Sequence, residues 1–258
     1  MALISDAGHN FSDVIGLLLS LVAFKLMQKK KTRTFTYGYK KATILSSFLN
    51  ALLLFVAVGY IIFESIRRFE NPQVLEGNTV AVVAFVGILI NGFTAFLFLK
   101  DQKKDLNIKG AYLHMVADML VSVGVLIGGL VISSTGWYFI DPIIGIIIAV
   151  VIFIGTWKLF KDSLRLSLDG VPMGVETAEV IESMKRVEGV RNISHVHLWA
   201  LSTTQNALTA HVLVDKGISR EDYYRIKNEL KAKLEDFHID HSTLEFSDPD
   251  KGEKENCL

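Results

Sequence analysis

The stretch Ala111-Tyr-Leu-His-Met-Val-Ala-Asp-Met-Leu-Val-Ser-Val-Gly124 places a histidine and an aspartate four residues apart at the head of residues 119–140, a run of 22 without Asp, Glu, Lys or Arg. An i,i+4 spacing puts His114 and Asp118 on one helix face. A hydrocarbon core is crossed by ~20 apolar residues in a helix, so this segment predicts a membrane span with two ionisable groups carried into it. The same H-x-x-x-D pattern recurs near the N-terminus, where Asp6-Ala-Gly-His9-Asn-Phe-Ser-Asp13 precedes an apolar segment.

Outward from that segment, residues 42–63 (22) and 77–99 (23) are also free of charge, and residues 142–157 form a shorter run of 16. The last reaches spanning length with Asp141 and Lys158 at the two interfaces, the lysine snorkelling. Residues 14–24 are uncharged for only 11 positions, so the first span must include residues 2–13 with Asp6, His9 and Asp13. A signal peptide does not fit, because the positive residues follow the apolar stretch. Five transmembrane helices are expected. Lys29, Lys30, Lys31, Arg33, Lys40 and Lys41 follow the first; Lys100, Lys103, Lys104 and Lys109 follow the third; Lys158, Lys161 and Arg165 mark the exit from the fifth. Short loops rich in Lys and Arg stay in the cytoplasm, so the C-terminal part is cytoplasmic and the N-terminus of this chain lies outside.

Composition agrees with a division. The 258 residues are 50% hydrophobic and 21% charged, with mean hydropathy +0.37. Through Arg165 there are 16 Lys+Arg against 10 Asp+Glu, and beyond it 11 against 17. The neutral total argues against a nucleic-acid partner, and one cysteine, Cys257, excludes a disulfide framework and a cysteine-cluster zinc site. After residue 167 the pattern is that of a small soluble domain: helical spacing over 175–187, strands over 194–200 and 207–214, a helix over 223–237 capped by Ser219 with Asp222, and a strand over 241–246. The order αββαβ predicts a ferredoxin-like α+β sheet with helices on one face. The expected domains are 1–163 in the membrane, 164–246 in the cytoplasm, and a polar tail, 247–258.

Four groups in two identical patterns call for a chemical account, since burying each charge costs ~2.5–3.5 kcal/mol on insertion scales. If the two helices face each other, His9, Asp13, His114 and Asp118 converge. Two imidazoles and two carboxylates suit a borderline divalent ion in tetrahedral geometry, with the aspartates neutralising its charge, and zinc is the first choice. Asp6 reads as solvated, Asp141 as a helix-start residue, and Asn50 and Asn91 as interhelical hydrogen bonders. An intramembrane metalloenzyme needs an open coordination position and a general base, and neither pattern supplies the base, so no enzyme is expected. A metal-binding membrane dimer that does not transport is the alternative.

The stretches SDAGHNFSDV, TYGYKKATILSSFLNALLL, AYLHMVADMLVSVG, DPIIGIIIA and HVHLWAL with ALTAHVLVD together resemble the cation diffusion facilitator family in its zinc-transporting branch. The resemblance runs from residue 2 to about residue 246. It implies an integral protein of the cell (inner) membrane, a homodimer, exporting Zn²⁺ in exchange for protons through His9, Asp13, His114 and Asp118, with Cd²⁺ or Co²⁺ as second ions. Related branches carry Asp in place of the first histidine, so His9 favours zinc. Members have six spans with both termini in the cytoplasm, so the resemblance, like the loop charges, implies an N-terminal helix that this chain lacks. Five of the seven histidines lie in the cytoplasmic part: His195, His197, His211, His238 and His241. The resemblance implies that this domain dimerises and binds regulatory metal, with His211 as a ligand and His197 and Glu245 as weaker matches. Trp199 reads as packing, and His195 and His238 as solvated or hydrogen-bonded.

Overall fold

The computed structural model describes residues 16, 18–70 and 77–247. His9, Asp13 and Asp6 lie outside the described residues. Helix α1 is described over Leu18–Met27. It is followed by α2 (Ala42–Glu70), α3 (Gly77–Phe98), a 3₁₀ turn (Asp101–Lys103), α4 (Leu106–Thr135) and α5 (Ile140–Ser167). Among the described residues, the four helices α2 to α5 are long and apolar enough to cross a membrane. They overrun the uncharged runs: α2 continues seven residues past Phe63, and α5 ten past Trp157. The run 119–140 is not one helix. Gly136 takes a left-handed conformation (φ 69°) that only glycine adopts without steric cost, its N–H caps Ile132 O at 2.8 Å, and α5 starts four residues later with Asp141 and Pro142 in its first turn.

In a membrane each backbone polar group must be satisfied within its own helix, and two buried hydroxyls bond back to their own helix in the same way. Ser47 donates to Thr43 O (3.0 Å) and Ser163 to Leu159 O (2.8 Å). With no hydrophobic force between helices in lipid, packing relies on small residues that let backbones approach. On α4, Gly110, Ala117, Gly124 and Gly128 are buried. A Cβ on Gly124 would lie 2.7 Å from Ile148 Cδ1 and 2.9 Å from Ile144 Cγ2, and one on Gly155 of α5 would lie 2.7 Å from Leu113 Cδ2. Leu113 thus fills the notch at Gly155, and its neighbour in sequence is His114. Helix α2 packs on both α5 and α4, while α3 packs on α4 and leaves most of its surface to lipid.

Ion pairs hold the helix ends. Arg68 joins Glu64 of its own helix (3.2 Å) to Asp141 at the start of α5 (2.8 Å), which agrees with the helix-start reading of Asp141. At the cytoplasmic end Lys109 of α4 meets Asp162 of α5 at 2.8 Å, both half-buried.

The cytoplasmic domain has the expected αββαβ order: α6 (Thr177–Lys185), β1 (Val190–Ala200), β2 (Asn206–Val214), α7 (Arg220–Glu235) and β3 (Ile239–Ser247). Its sheet runs β1-β2-β3, antiparallel then parallel, with α7 as the crossover between the parallel strands. Val180 and Met184 of α6 and Ile226, Leu230 and Leu234 of α7 bury one sheet face against Leu208 and Val212. Ser219 caps α7 by accepting from Asp222 N (3.0 Å), and its hydroxyl donates to the Asp222 carboxylate (2.7 Å). That bond, ahead of Arg225, holds the Asp222 carboxyl below the usual carboxylate range.

The notch at Gly155 yields a stability test. Gly155→Leu forces two branched side chains into one space, and overpacking of this kind costs about 1–3 kcal/mol. The variant is expected to melt at lower temperature in detergent than wild type. An unchanged melting temperature would show that α4 does not depend on the notch.

Candidate metal-transport site

Helix α4 begins at an N-cap. Asp105 Oδ1 accepts from Asn107 N at 2.7 Å, satisfying one of the orphan donors of the first turn. At a rise of ~1.5 Å per residue, His114 sits about 12 Å and Asp118 about 18 Å beyond Leu106 along a helix of spanning length. The two side chains share a face, with His114 Nε2 3.9 Å from Asp118 Oδ2, and they are 16% and 13% exposed. A histidine nitrogen and a carboxylate oxygen at that separation can take one ion between them. His9 and Asp13, the other pair expected from the sequence, lie outside the described residues.

Asn50 ties the neighbouring helices together at this level. Its Nδ2 donates to Ser20 Oγ of α1 at 2.8 Å, its Oδ1 lies 3.3 Å from where a Cβ would stand on Gly16, and its Cβ lies 3.5 Å from the corresponding point on Gly110 of α4. The interhelical role read from the sequence is the one it fills. Gly110 is one turn before His114, so Asn50 links α1 and α2 beside the ligand-bearing part of α4.

The cytoplasmic domain reaches the same helix. The tip of the β1–β2 hairpin places Thr203, whose N–H donates to Thr43 Oγ1 (3.2 Å) and whose hydroxyl donates to Asp105 Oδ2 (2.8 Å). Asn107 Nδ2 in turn donates to Thr43 O (3.0 Å). Ala200, at the end of β1, is buried in one cluster with Ile44, Leu106, Leu159 and Leu166. Sequence reading missed Asp105 and Thr203. An Asp before an apolar helix signals a cap, but its second oxygen is claimed by a residue 98 positions away.

The sheet carries four of the five cytoplasmic histidines, His195, His197, His211 and His241. His211 and Glu245 are register partners on β2 and β3, with Nε2 and Oε2 3.4 Å apart. His197 pairs with Thr209 instead. The ring beside His211 belongs to His195, with centroids 4.6 Å apart. A bulge between Ser194 and His197 is responsible. Ser194 opposes His211 and His197 opposes Thr209, so His195 and Val196 share the span opposite Ala210. His195 adopts φ 49° there, which turns it away from the buried face, while Val196 packs against the core. His241 faces Tyr37 edge-on (5.3 Å), and His238 sits at φ 55° in the turn before β3. Trp199 is half-buried. Among the described residues no three His, Cys, Asp or Glu side chains converge to hold a metal ion.

Known proteins extend this description. The family model for the cation efflux transmembrane domain matches residues 1–166, and that for the cation efflux protein, cytoplasmic domain, matches residues 172–245. The chain is 34% identical over 248 residues to the cadmium, cobalt and zinc/H(+)-K(+) antiporter of Bacillus subtilis, covering 95% of this chain and 80% of that protein. It is 37% identical over 247 residues to the metal cation efflux system protein CzcD of Cupriavidus metallidurans, covering 95% and 78%. It is 34% identical over 249 residues to the zinc transporter ZitB of Escherichia coli, again covering 95% and 78%.

The Thr203–Asp105 bond can be isolated by a double-mutant cycle. Asp105→Ala loses the cap, at about 0.5–2 kcal/mol, and the interdomain bond as well, while Thr203→Val loses only the latter, about 0.5–1.5 kcal/mol. The double variant is expected to melt in detergent close to Asp105→Ala alone, because the shared bond is already gone. Fully additive losses would mean that the two residues do not interact.

Proposed function

The chain belongs to the cation efflux family, and on that premise we propose that it moves Zn²⁺ out of the cytoplasm in exchange for protons at a site composed of His9, Asp13, His114 and Asp118. It is a divalent-cation efflux transporter of the membrane, not an enzyme, with its α+β domain in the cytoplasm. The observation that carries the reading is the His114–Asp118 pair, one turn apart and largely buried on α4, a helix long and apolar enough to cross a membrane. The second pair of identical spacing in the sequence, His9 and Asp13, would complete a four-ligand set whose two carboxylates neutralise a 2+ ion. Cadmium and cobalt, named for the Bacillus subtilis relative, are the second ions. The reading places transport in residues 1–163 and dimerisation in residues 164–246, with 247–258 as a tail; α5 itself runs four residues past the first boundary, to Ser167.

Proton exchange follows from ligand chemistry. A metal needs deprotonated imidazole and carboxylate, so protons compete for the same lone pairs. Facing the neutral cytoplasm, the site loses protons and takes the ion; facing a more acidic exterior, it gains protons and releases the ion. The residues of the site bind and orient the cation in one state and hold protons in the other.

The cytoplasmic residues His211, His197 and Glu245 are read as a regulatory set, not a transport set. His211 and Glu245 adjoin, His195 takes the place beside them, and the described residues supply no group of three.

Asp118→Ala should reduce zinc flux in proteoliposomes by more than the ~10–100-fold that loss of an outer-shell partner of a metal ligand costs, with membrane insertion unchanged. Wild-type flux from a well-inserted variant would overturn the site. Binding without flux in the wild type would favour the non-transporting dimer.

Acidifying the exterior side at fixed zinc gradient should accelerate export, and an ionophore that collapses the pH difference should slow it. Flux indifferent to the ionophore would leave facilitated diffusion as the mechanism.

A further inference from the structure

A cleft of about 750 Å³ opens where the cytoplasmic ends of α4 and α5 meet the cytoplasmic domain, within the size range of small-molecule sites. Its membrane-side wall carries Lys103, Lys104, Lys109 and Lys158 against two carboxylates, Asp105 and Asp162. Both carboxylates are engaged: Asp162 by Lys109 at 2.8 Å, and Asp105 by Asn107 N and the Thr203 hydroxyl. Lys104 leans toward Asp101 at 3.6 Å. Lys103 and Lys158 are exposed and have no acidic partner among the described residues. The cleft therefore holds an uncompensated positive charge.

We propose that this cleft binds the phosphate of an anionic phospholipid headgroup from the cytoplasmic leaflet. The helical stripe that leads into it selects a lipid over a soluble anion. On α5, Ile147, Val151, Ile154 and Lys158 follow one another at intervals of four, three and four, which places them on one face. The three apolar members are 58%, 51% and 66% exposed, a continuous surface for an acyl chain that ends at the lysine. By the loop charges this end of α5 lies on the cytoplasmic side, where anionic lipids attract juxtamembrane lysines. The opposite wall belongs to the cytoplasmic domain and includes the Thr204 side chain and His238, so a bound headgroup would touch both domains. A free phosphate could satisfy the lysines equally well but would leave the apolar stripe unused.

The test is lipid retention by the purified full-length protein, read by native mass spectrometry and by melting in nanodiscs, neither of which depends on zinc flux. Wild type should retain phosphatidylglycerol in preference to phosphatidylcholine and melt higher in phosphatidylglycerol. Lys103→Gln with Lys158→Gln should weaken phosphatidylglycerol about 30-fold, as two surface lysines would, and abolish the difference in melting. Neither lysine has an ion-pair partner to lose among the described residues, so melting in phosphatidylcholine should be unchanged. Lys100→Gln with Lys161→Gln removes two cytoplasmic-side lysines that do not line the cleft and should leave retention as in wild type. Equal retention by wild type and the cleft variant, or equal loss in the control, would overturn the assignment. Stabilisation by inorganic phosphate alone, or displacement of the lipid by it, would assign the cleft to a soluble anion and overturn the lipid proposal.

Discussion

A carboxylate inside a hydrocarbon layer must have an opposite charge brought to it or a protein surface to shield it, and the placement of Asp118 imposes that requirement on the rest of the membrane half. Helix α4 cannot present Asp118 and His114 to lipid, so it is enclosed by α2, α3 and α5, and the enclosing contacts determine its rotation. The notch at Gly155 receives Leu113, the Gly124 surface receives Ile144 and Ile148, and Gly110 lies against Asn50. At Gly124 and Gly155 an added Cβ would have to displace the facing side chain, whereas at Gly110 it would meet Asn50 at ordinary contact distance. The seam is made of small side chains because helices in lipid gain nothing from hiding apolar surface and depend instead on close packing. Helix α3 carries no such demand and accordingly exposes most of its surface.

The ends of these helices are held by charges, in keeping with their position at the membrane–water boundaries. Arg68 with Asp141 joins α2 to α5 on the outer side, and Lys109 with Asp162 joins α4 to α5 on the cytoplasmic side. Between the latter pair and the sheet stands Asp105. One of its oxygens caps α4 and the other receives the Thr203 hydroxyl, so a displacement of the β1–β2 hairpin bears on the helix that carries the transport ligands. The hairpin continues at its far side into the strands with His195 and His211, which places the histidine-bearing face and α4 on one short mechanical path.

Most of the architecture could be read from the sequence because its physics is local. Uncharged runs of spanning length mark helices, loop lysines orient them, and i,i+4 spacing brings His114 and Asp118 to one face without reference to any other part of the chain. The αββαβ order and the Ser219 cap are likewise matters of short-range periodicity and hydrogen bonding. Helix ends were less legible: charged residues such as Lys158, Lys161 and Arg165 end a hydrophobic run but not a helix, whereas Gly136 ends a helix inside a hydrophobic run because its left-handed conformation does.

Tertiary structure alone decided which side chains meet across the chain. His197 and His195 are indistinguishable by alternation; a single extra residue between Ser194 and His197 resets the register and brings His195 to His211. Asp105 goes unnoticed in the sequence until the structure brings Thr203 to its second oxygen, and the lysines of the cleft read as topology signals until the cytoplasmic domain closes the opposite wall. Sequence determines what a residue can do with neighbours a turn away, since helix and strand geometry fix those distances; contacts over a hundred residues depend on how whole elements pack, which no local spacing encodes.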